Sequence, residues 1–245
     1  MVAIVAAGVG AGIANAIVGS GTLITFPTLL AFGYAPVTAN VTNTIGLVPG
    51  NLTSMLGYRP EMAGQRPRAL RLGLASVLGA VVGAILLLVL PASAFRAVVP
   101  SFIGLGVFAI LAGPYFSKWL ASRNRSPSAA SGGLVTFLGI VLCGLYGGYF
   151  GAGQGLLFIA VLGIALADTL HRLNALRNML AGLANTVAAV VFIASAHIAW
   201  GAAGLIAIGS IAGGWLGVDI GRRLPPTVYR VVIAAVGIVA FVKLV

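Results

Sequence analysis

From Leu72 to Leu90 the chain carries no charged or amide side chain. At about 1.5 Å per residue, a helix of that length crosses most of the ~30 Å hydrocarbon core of a bilayer. Comparable stretches recur at Ala97–Tyr115 and Ile198–Val218. In lipid every backbone N–H and C=O must find its partner within the protein, so only helices and closed barrels can span. These apolar runs are continuous and do not alternate every second residue, which predicts helices. Composition agrees: of 245 residues, 7% are charged and 60% apolar, whereas a soluble domain carries about 25% charged residues. The chain is predicted to be an all-α polytopic membrane protein, with the lipid bilayer as its first partner.

The formal charge of +11 invites a nucleic-acid reading. It is set aside because most basic residues sit in short loops between apolar runs, the pattern that orients a membrane protein. The single cysteine, Cys143, lies in an apolar run and allows no intrachain disulfide. Residues 1–18 hold no Lys or Arg, which argues against a signal peptide. No loop is long enough to be a separate soluble domain.

Two interruptions stand out within the apolar sequence. Val2–Val18 breaks at Gly19-Ser20-Gly21-Thr22, and polar residues Asn40, Thr42 and Asn43 follow. Leu134–Phe150 breaks at Gly151-Ala152-Gly153-Gln154-Gly155, followed by Asn174, Arg177 and Asn178. Placing Gly151 on Gly19 is a shift of 151 − 19 = 132 positions, which carries Asn43 onto Ala175. The chain therefore divides into a first repeat, 1–116, a linker, 117–131, and a second repeat, 132–245. In the first, a broken hairpin at 2–33 precedes spans near 37–58, 72–90 and 97–116. In the second, a broken hairpin at 134–167 precedes spans near 169–193, 198–220 and 228–242.

Charge counting orients this plan. If each broken arm and its short segment leave and return on the same side, the loops at 59–71, 118–131, 171–177 and 222–230 all face the cytoplasm. They then hold twelve of the fourteen Lys and Arg. If both arms cross fully, the split is eight against six. The tendency of positive loops to stay inside favours the hairpin plan. It gives two repeats of opposite orientation in a cell inner membrane, with loops 59–71, 117–131 and 221–230 cytoplasmic.

The motifs themselves, Asn15-Ala16-Ile17-Val18-Gly19-Ser20-Gly21-Thr22-Leu23-Ile24-Thr25-Phe26-Pro27 with Ala39-Asn40-Val41-Thr42-Asn43, and Gly144-Leu145-Tyr146-Gly147-Gly148-Tyr149-Phe150-Gly151-Ala152-Gly153-Gln154-Gly155 with Leu173-Asn174-Ala175 and Ala184-Asn185, resemble the sulfite exporter TauE/SafE family. The resemblance covers essentially the whole chain. It implies a transporter of small sulfur-containing anions such as sulfite, sulfoacetate or other sulfonates. Many members have glycines where this chain has Ser20 and Thr22, and some carry Lys where it has Thr44.

The residues supply a mechanism on their own. A helix N-terminus offers unfilled N–H groups and a positive dipole end to an anion, and glycine lets the backbone come close. The breaks start short helices near Thr22 and Leu156, and opposed repeats would bring those two ends together at mid-membrane. The expected binding set is Gly19, Ser20, Gly21, Thr22, Asn40, Thr42, Asn43, Gly151, Ala152, Gly153, Gln154, Gly155, Asn174, Arg177 and Asn178. Arg177 is the only basic residue placed to reach a ligand, although its stem would let it snorkel to the surface, the expected outcome. Gly79/Gly83 and Gly209/Gly213/Gly217/Gly221 read as close helix packing, Asp168 as the N-cap of the helix at Thr169, and Tyr58, Trp119 and Trp200 as interfacial anchors. His171 and His197 read as solvated. No nucleotide loop, metal cluster or catalytic triad can be assembled, so neither a cofactor nor an enzymatic activity is expected. The reading is a secondary carrier, with an anion channel, a membrane enzyme and a non-transporting scaffold as rivals. The coupling ion, proton or sodium, and the oligomeric state stay open.

Overall fold

The computed structural model describes residues 1–122 and 133–223. Within them the chain forms nine α-helices and one short 3₁₀ turn, Pro60–Met62, with no strand. In order the helices are α1 Val2–Ile17, α2 Thr22–Ala31, α3 Pro36–Gly57, α4 Arg66–Val89, α5 Ala92–Ser122, α6 Leu134–Tyr149, α7 Gln154–Ala165, α8 Leu170–Ser195 and α9 Trp200–Arg223. The expected span 228–242 and residues 123–131 of the linker lie outside the described residues. Two boundaries move. α4 starts at Arg66, so half of the expected loop 59–71 is already helical, and α5 starts at Ala92 and runs into the linker through Ser122.

α4, the first part of α5 (Ala92–Ala109), α8 and α9 are long and apolar enough to cross a membrane. Their outward faces carry large apolar side chains, among them Leu74, Leu78, Ile85, Val190 and Ile208. The interior, by contrast, holds Asn40, Thr42, Asn43, Ser76, Gln154, Arg177 and Asn178. Apolar outside and polar inside is the arrangement lipid demands, because polar side chains need partners or a cavity away from the acyl chains.

Small residues set which helices touch. A Cβ placed on Gly79 would lie 2.0 Å from the Val141 carbonyl oxygen, and one on Gly83 2.0 Å from that of Leu145. On the other side Gly8 abuts Ile206 and Gly209, Gly12 abuts Ser210 and Gly213, and Gly217 abuts Ile13 and Ala16. Backbone-to-backbone contact of this kind replaces the hydrophobic drive that is missing in lipid. The numbering rises together in both pairs, so α4 runs parallel to α6 and α1 parallel to α9. α3 lies along α9 in the same sense, through Gly46 on Ile206, Gly50 on Ser210 and Gly57 on Val218. α8 lies along α4 in the same sense, through Arg68 on Asp168 and Ser76 on Leu180. α3 and α8 run opposite ways, with Tyr58 beside Ala175 and Asn51 beside Gly182.

α2 folds back along α1. Ile24 packs on Gly10, and Gly21 sits against Ala11 and Asn15. The short helix therefore returns toward the end from which α1 set out. Pro36 then starts α3 at its first turn, where proline's fixed φ and missing N–H cost nothing. A cluster of rings from α2, α5 and the end of α6 fills the space beneath, with Phe26 and Phe150 edge to face at 5.1 Å. Phe95, Phe102 and Tyr149 complete it.

Candidate substrate site at the paired helix breaks

Both interruptions exist, and both are made by left-handed glycines. After α1 ends at Ile17, Gly19 takes a φ of +78°; after α6 ends at Tyr149, Gly151 and Gly153 take +75° and +71°. A side chain is disfavoured at such angles. At Gly19 space forbids one as well, since a Cβ there would lie 2.5 Å from the Cα of Gly155.

The two breaks meet each other. The Gly155 N–H donates to the Gly19 carbonyl at 3.1 Å, so residues 136 positions apart (155 − 19) share a backbone hydrogen bond. The Gly21 N–H is also occupied, donating to Asn15 Oδ1 at 2.6 Å. In this conformation the helix starts are therefore not bare amides: two of the N–H groups expected to face an anion are held by internal acceptors. The Ala152 carbonyl accepts from the Tyr146 hydroxyl at 2.6 Å, which fixes the second break to its own arm.

Arg177 lies where the breaks cross. It is 2% exposed, and its Nη1 fills the space in front of both Gly19 and Gly155. Its Nη2 donates to the carbonyls of Ala16 at 2.9 Å and Asn15 at 3.4 Å. These are among the last carbonyls of α1, where the helix dipole is negative and partners are otherwise missing. The expected snorkelling to the surface is thus corrected. Arg177 sits seven residues into α8, roughly 10 Å from its start, and there the carbonyl end of α1 takes the place of headgroup and water.

The amides on either side follow one rule. Asn178 donates through Nδ2 to the Ala16 carbonyl at 3.2 Å, and Asn40 to the Tyr149 carbonyl at 3.0 Å. Each half sends an asparagine from its third helix to the last carbonyls of the other half's first helix. By role Asn40 corresponds to Asn178, a shift of 178 − 40 = 138. The constant shift of 132 fails past the breaks, partly because α7 has 12 residues and α2 only 10.

The remaining expected residues divide. Asn43 clamps α3 to α2, donating to Thr22 Oγ1 at 3.2 Å and accepting from the Thr25 hydroxyl. Gln154 donates to Asn185 Oδ1 at 2.9 Å. Asn174 is half-buried, and its carbonyl accepts a second bond from Asn178. Thr42 is not at the breaks: its hydroxyl oxygen accepts the Ala199 N–H at 3.1 Å, at the start of α9. Among the described residues, the buried Ser20 Oγ, Asn40 Oδ1 and Gln154 Oε1 have no hydrogen-bond partner, which is uncommon for buried polar atoms. Two contributors were missing from the expected set. Asn15 holds both Gly21 and, at 3.1 Å, Asn51 Oδ1, and Asn185 orients Gln154. Asn15 is an amide in an otherwise apolar helix and Asn185 one in the apolar second half of α8, which is the signal that could have found them.

At the basic end, Asp168 is not the N-cap. Thr169 is, its hydroxyl oxygen accepting the Arg172 N–H. Asp168 instead pairs with Arg68 at 2.7 Å and Arg172 at 2.9 Å. Burial would raise its carboxyl pKa, but the Thr169 N–H and the Arg172 and Arg68 guanidinium groups outweigh it and hold it below the ordinary range. Glu61 pairs with Arg222 at 2.9 Å. Tyr58 is buried beneath the Arg222 guanidinium and is not an interfacial anchor. Trp200, His171 and His197 are exposed, and the Trp119 side chain lies outside the described residues.

Comparison with known proteins places the chain among transporters. The model of the family described as sulfite exporter TauE/SafE matches residues 4–244. A protein of Escherichia coli K12 named "Probable membrane transporter protein YfcA" is 27% identical over 220 residues, covering 87% of this chain and 76% of that one. A Sinorhizobium protein named "Probable membrane transporter protein ORF9" is 26% identical over 214 residues, covering 87% and 78%. A Haemophilus influenzae "Probable membrane transporter protein" is 25% identical over 232 residues, covering 94% and 89%. No solved structure matches.

Proposed function

The chain belongs to the sulfite exporter TauE/SafE family of membrane transporters, and from that premise we propose that it is a secondary carrier for small sulfur-containing anions such as sulfite, sulfoacetate or other organosulfonates. One observation carries the reading: the breaks of the two halves cross at a buried arginine, with Gly19, Gly155 and Arg177 in mutual contact. The guanidinium supplies charge and a planar donor fork that suits an oxyanion. Separating Gly155 from Gly19 would free an N–H at the first turn of α7, and among the described residues Ser20 Oγ already has no hydrogen-bond partner. The anion would thus exchange for a backbone hydrogen bond, so that the site closes on itself when empty.

Rocking between inward and outward states around the paired breaks is the proposed motion. Its support is the packing, in which α1 and α3 run with α9 while α6 and α8 run with α4, and the two groups are opposed. The proposed membrane is the cell inner membrane. Loops 59–71, 117–131 and 221–230 are proposed as cytoplasmic, on the support that ion pairs and hydrogen bonds gather Arg68, Arg172 and Arg222 at one end of the bundle.

The test is uptake into proteoliposomes of labelled sulfite, sulfoacetate, thiosulfate and sulfate, with counterflow, by the native chain and by Arg177→Met and Gly21→Leu. Transport of at least one sulfur anion with counterflow, lost in both variants, is expected. Unimpaired transport by both would remove the site, and flux without counterflow would make the protein a channel. Imposed proton and sodium gradients would identify the coupling ion.

A further inference from the structure

A cavity of about 700 Å³ opens beside α4 at the basic end, with Arg59 and Arg66 at its rim and Leu70, Gly73, Leu74 and Leu183 along its wall. Arg66, Leu70 and Leu74 are spaced by four, so they stack on one face of α4 over roughly 12 Å. Leu70 and Leu74 are 77% and 56% exposed, and the same apolar face continues outward through Leu78 and Ile85. The groove is deep because Gly73 has no side chain: a Cβ there would lie 3.2 Å from Leu183 Cδ1.

Charge separates this cavity from its neighbour. A second one, of about 520 Å³, is lined by Asp219 as well as Arg59 and Arg222, and Arg222 is already paired with Glu61. Among the described residues, the cavity beside α4 has no carboxylate in its lining. Arg59 and Arg66 are exposed and, among the described residues, take part in no ion pair, whereas Arg68, Arg172 and Arg222 all do. It therefore combines two cations at the level of the headgroups with an apolar trough running toward the membrane interior.

We propose that this cavity is a binding site for an anionic phospholipid, its phosphodiester on Arg59 and Arg66 and an acyl chain along Leu70, Leu74 and Leu183. A free anion would use the arginines but not the trough. A zwitterionic lipid would use the trough but bring its own cation to the rim. The occupant that satisfies both parts has a net negative headgroup and two tails. Basic pockets between spanning helices favour such headgroups, each arginine contributing several-fold in affinity.

The experiment is native mass spectrometry of the full chain in detergent, titrated with dioleoyl-phosphatidylglycerol or dioleoyl-phosphatidylcholine, with thermal unfolding under the same additions. One phosphatidylglycerol should be retained about tenfold more tightly than phosphatidylcholine and should raise Tm. The double variant Arg59→Gln/Arg66→Gln should bring phosphatidylglycerol down to the phosphatidylcholine level without changing Tm in phosphatidylcholine. Arg223→Gln, exposed at the same end but outside the cavity, should change neither. Gly73→Leu should lose both lipids. Equal retention of the two lipids, an unaffected double variant, or the same Tm rise from sn-glycerol 3-phosphate alone would overturn the proposal.

Discussion

The two breaks look alike in sequence and are built differently. At the first, one left-handed glycine suffices, and the carbonyl end of α1 is met by Arg177 and Asn178 from the other half. At the second, two left-handed glycines bracket Ala152, and Asn40 is the side chain of the other half that donates to the last carbonyl of α6 among the described residues. The residue before Asn178 is Arg177, while the residue before Asn40 is Ala39, fully buried. Around the second break the remaining space is filled by the rings of Phe26, Phe95 and Phe150. Duplicated amides set the geometry on both sides, and among the described residues the cation at the breaks comes from the second half, as Arg177. On the proposed reading, the charge that selects an anion is supplied once, by Arg177.

The largest expected effect tests that asymmetry directly. Arg177→Met removes a buried guanidinium and leaves the Ala16 carbonyl to Asn178, which should reduce anion uptake by roughly 100-fold, the scale of losing a buried charged hydrogen-bond partner. Arg177→Lys keeps the charge but not the fork and should fall between. Ala39→Arg places a cation at the residue before Asn40, where Ala39 is fully buried, and should not rescue Arg177→Met. If it does, the two sides are interchangeable and the comparison fails.

Next come the glycines. Gly19→Ala combines a left-handed backbone with a clash against Gly155 and should cost about 2–4 kcal/mol. Gly151→Ala has the same backbone angle, but its nearest neighbour to a Cβ is 3.0 Å away. Strain without a severe clash should cost about 1–2 kcal/mol. Thermal unfolding in one detergent gives the order. Equal losses would mean that the Gly19–Gly155 contact does not hold the closed conformation.

How far the sequence reaches is clear from these same positions. Gly19, Gly21, Gly151 and Gly153 were legible as breaks because glycines beside hydroxyl and amide side chains cannot sit unpaired in lipid. Gly79, Gly83 and Gly209 were legible as contact stripes from their spacing. The meeting of Gly19 with Gly155 was not, since nothing local ties residues so far apart. Nor was the burial of Arg177, because its stem length allows both a surface and an interior placement, and only the position of α1 decides. The constant shift of 132 paired Asn43 with Ala175; the two extra residues of α7 bring the shift at the third helices to 170 − 36 = 134, and the counterpart of Asn40 by role, Asn178, lies a further helical turn along, at 178 − 40 = 138.

Those two asparagines give a smaller and more symmetric effect. Asn40→Ala and Asn178→Ala each remove one amide–carbonyl bond between the halves and should each destabilise by about 1 kcal/mol. Because Asn178 shares its acceptor with Arg177, Arg177→Met should make the loss from Asn178→Ala larger but leave the loss from Asn40→Ala unchanged. A double-mutant cycle on Tm reads this coupling, and coupling of Arg177 to Asn40 of the same size would dissolve the distinction between the breaks.

The smallest effect extends the asymmetry to where the third helices begin. α3 starts at Pro36, with no charged side chain at its cap, whereas α8 starts behind Asp168, pinned to Arg68 and Arg172. The Asp168 carboxyl is held below its unfolded value of 3.8 by the Thr169 N–H and the two guanidinium groups, which outweigh burial. A lowered folded pKa means that the unfolded state takes up the proton first. The carboxylate's contribution is therefore complete above the unfolded value and is lost as pH falls through the folded one. With Arg172 partly exposed, about 1 kcal/mol is at stake. Tm in detergent should therefore fall more steeply below pH 4 for the native chain than for Asp168→Asn, and the two curves should converge at the acid end. Parallel curves would show that α8 is seated by its interior contacts, Arg177 foremost, and that its ion-paired start adds nothing that Pro36 does not already give α3.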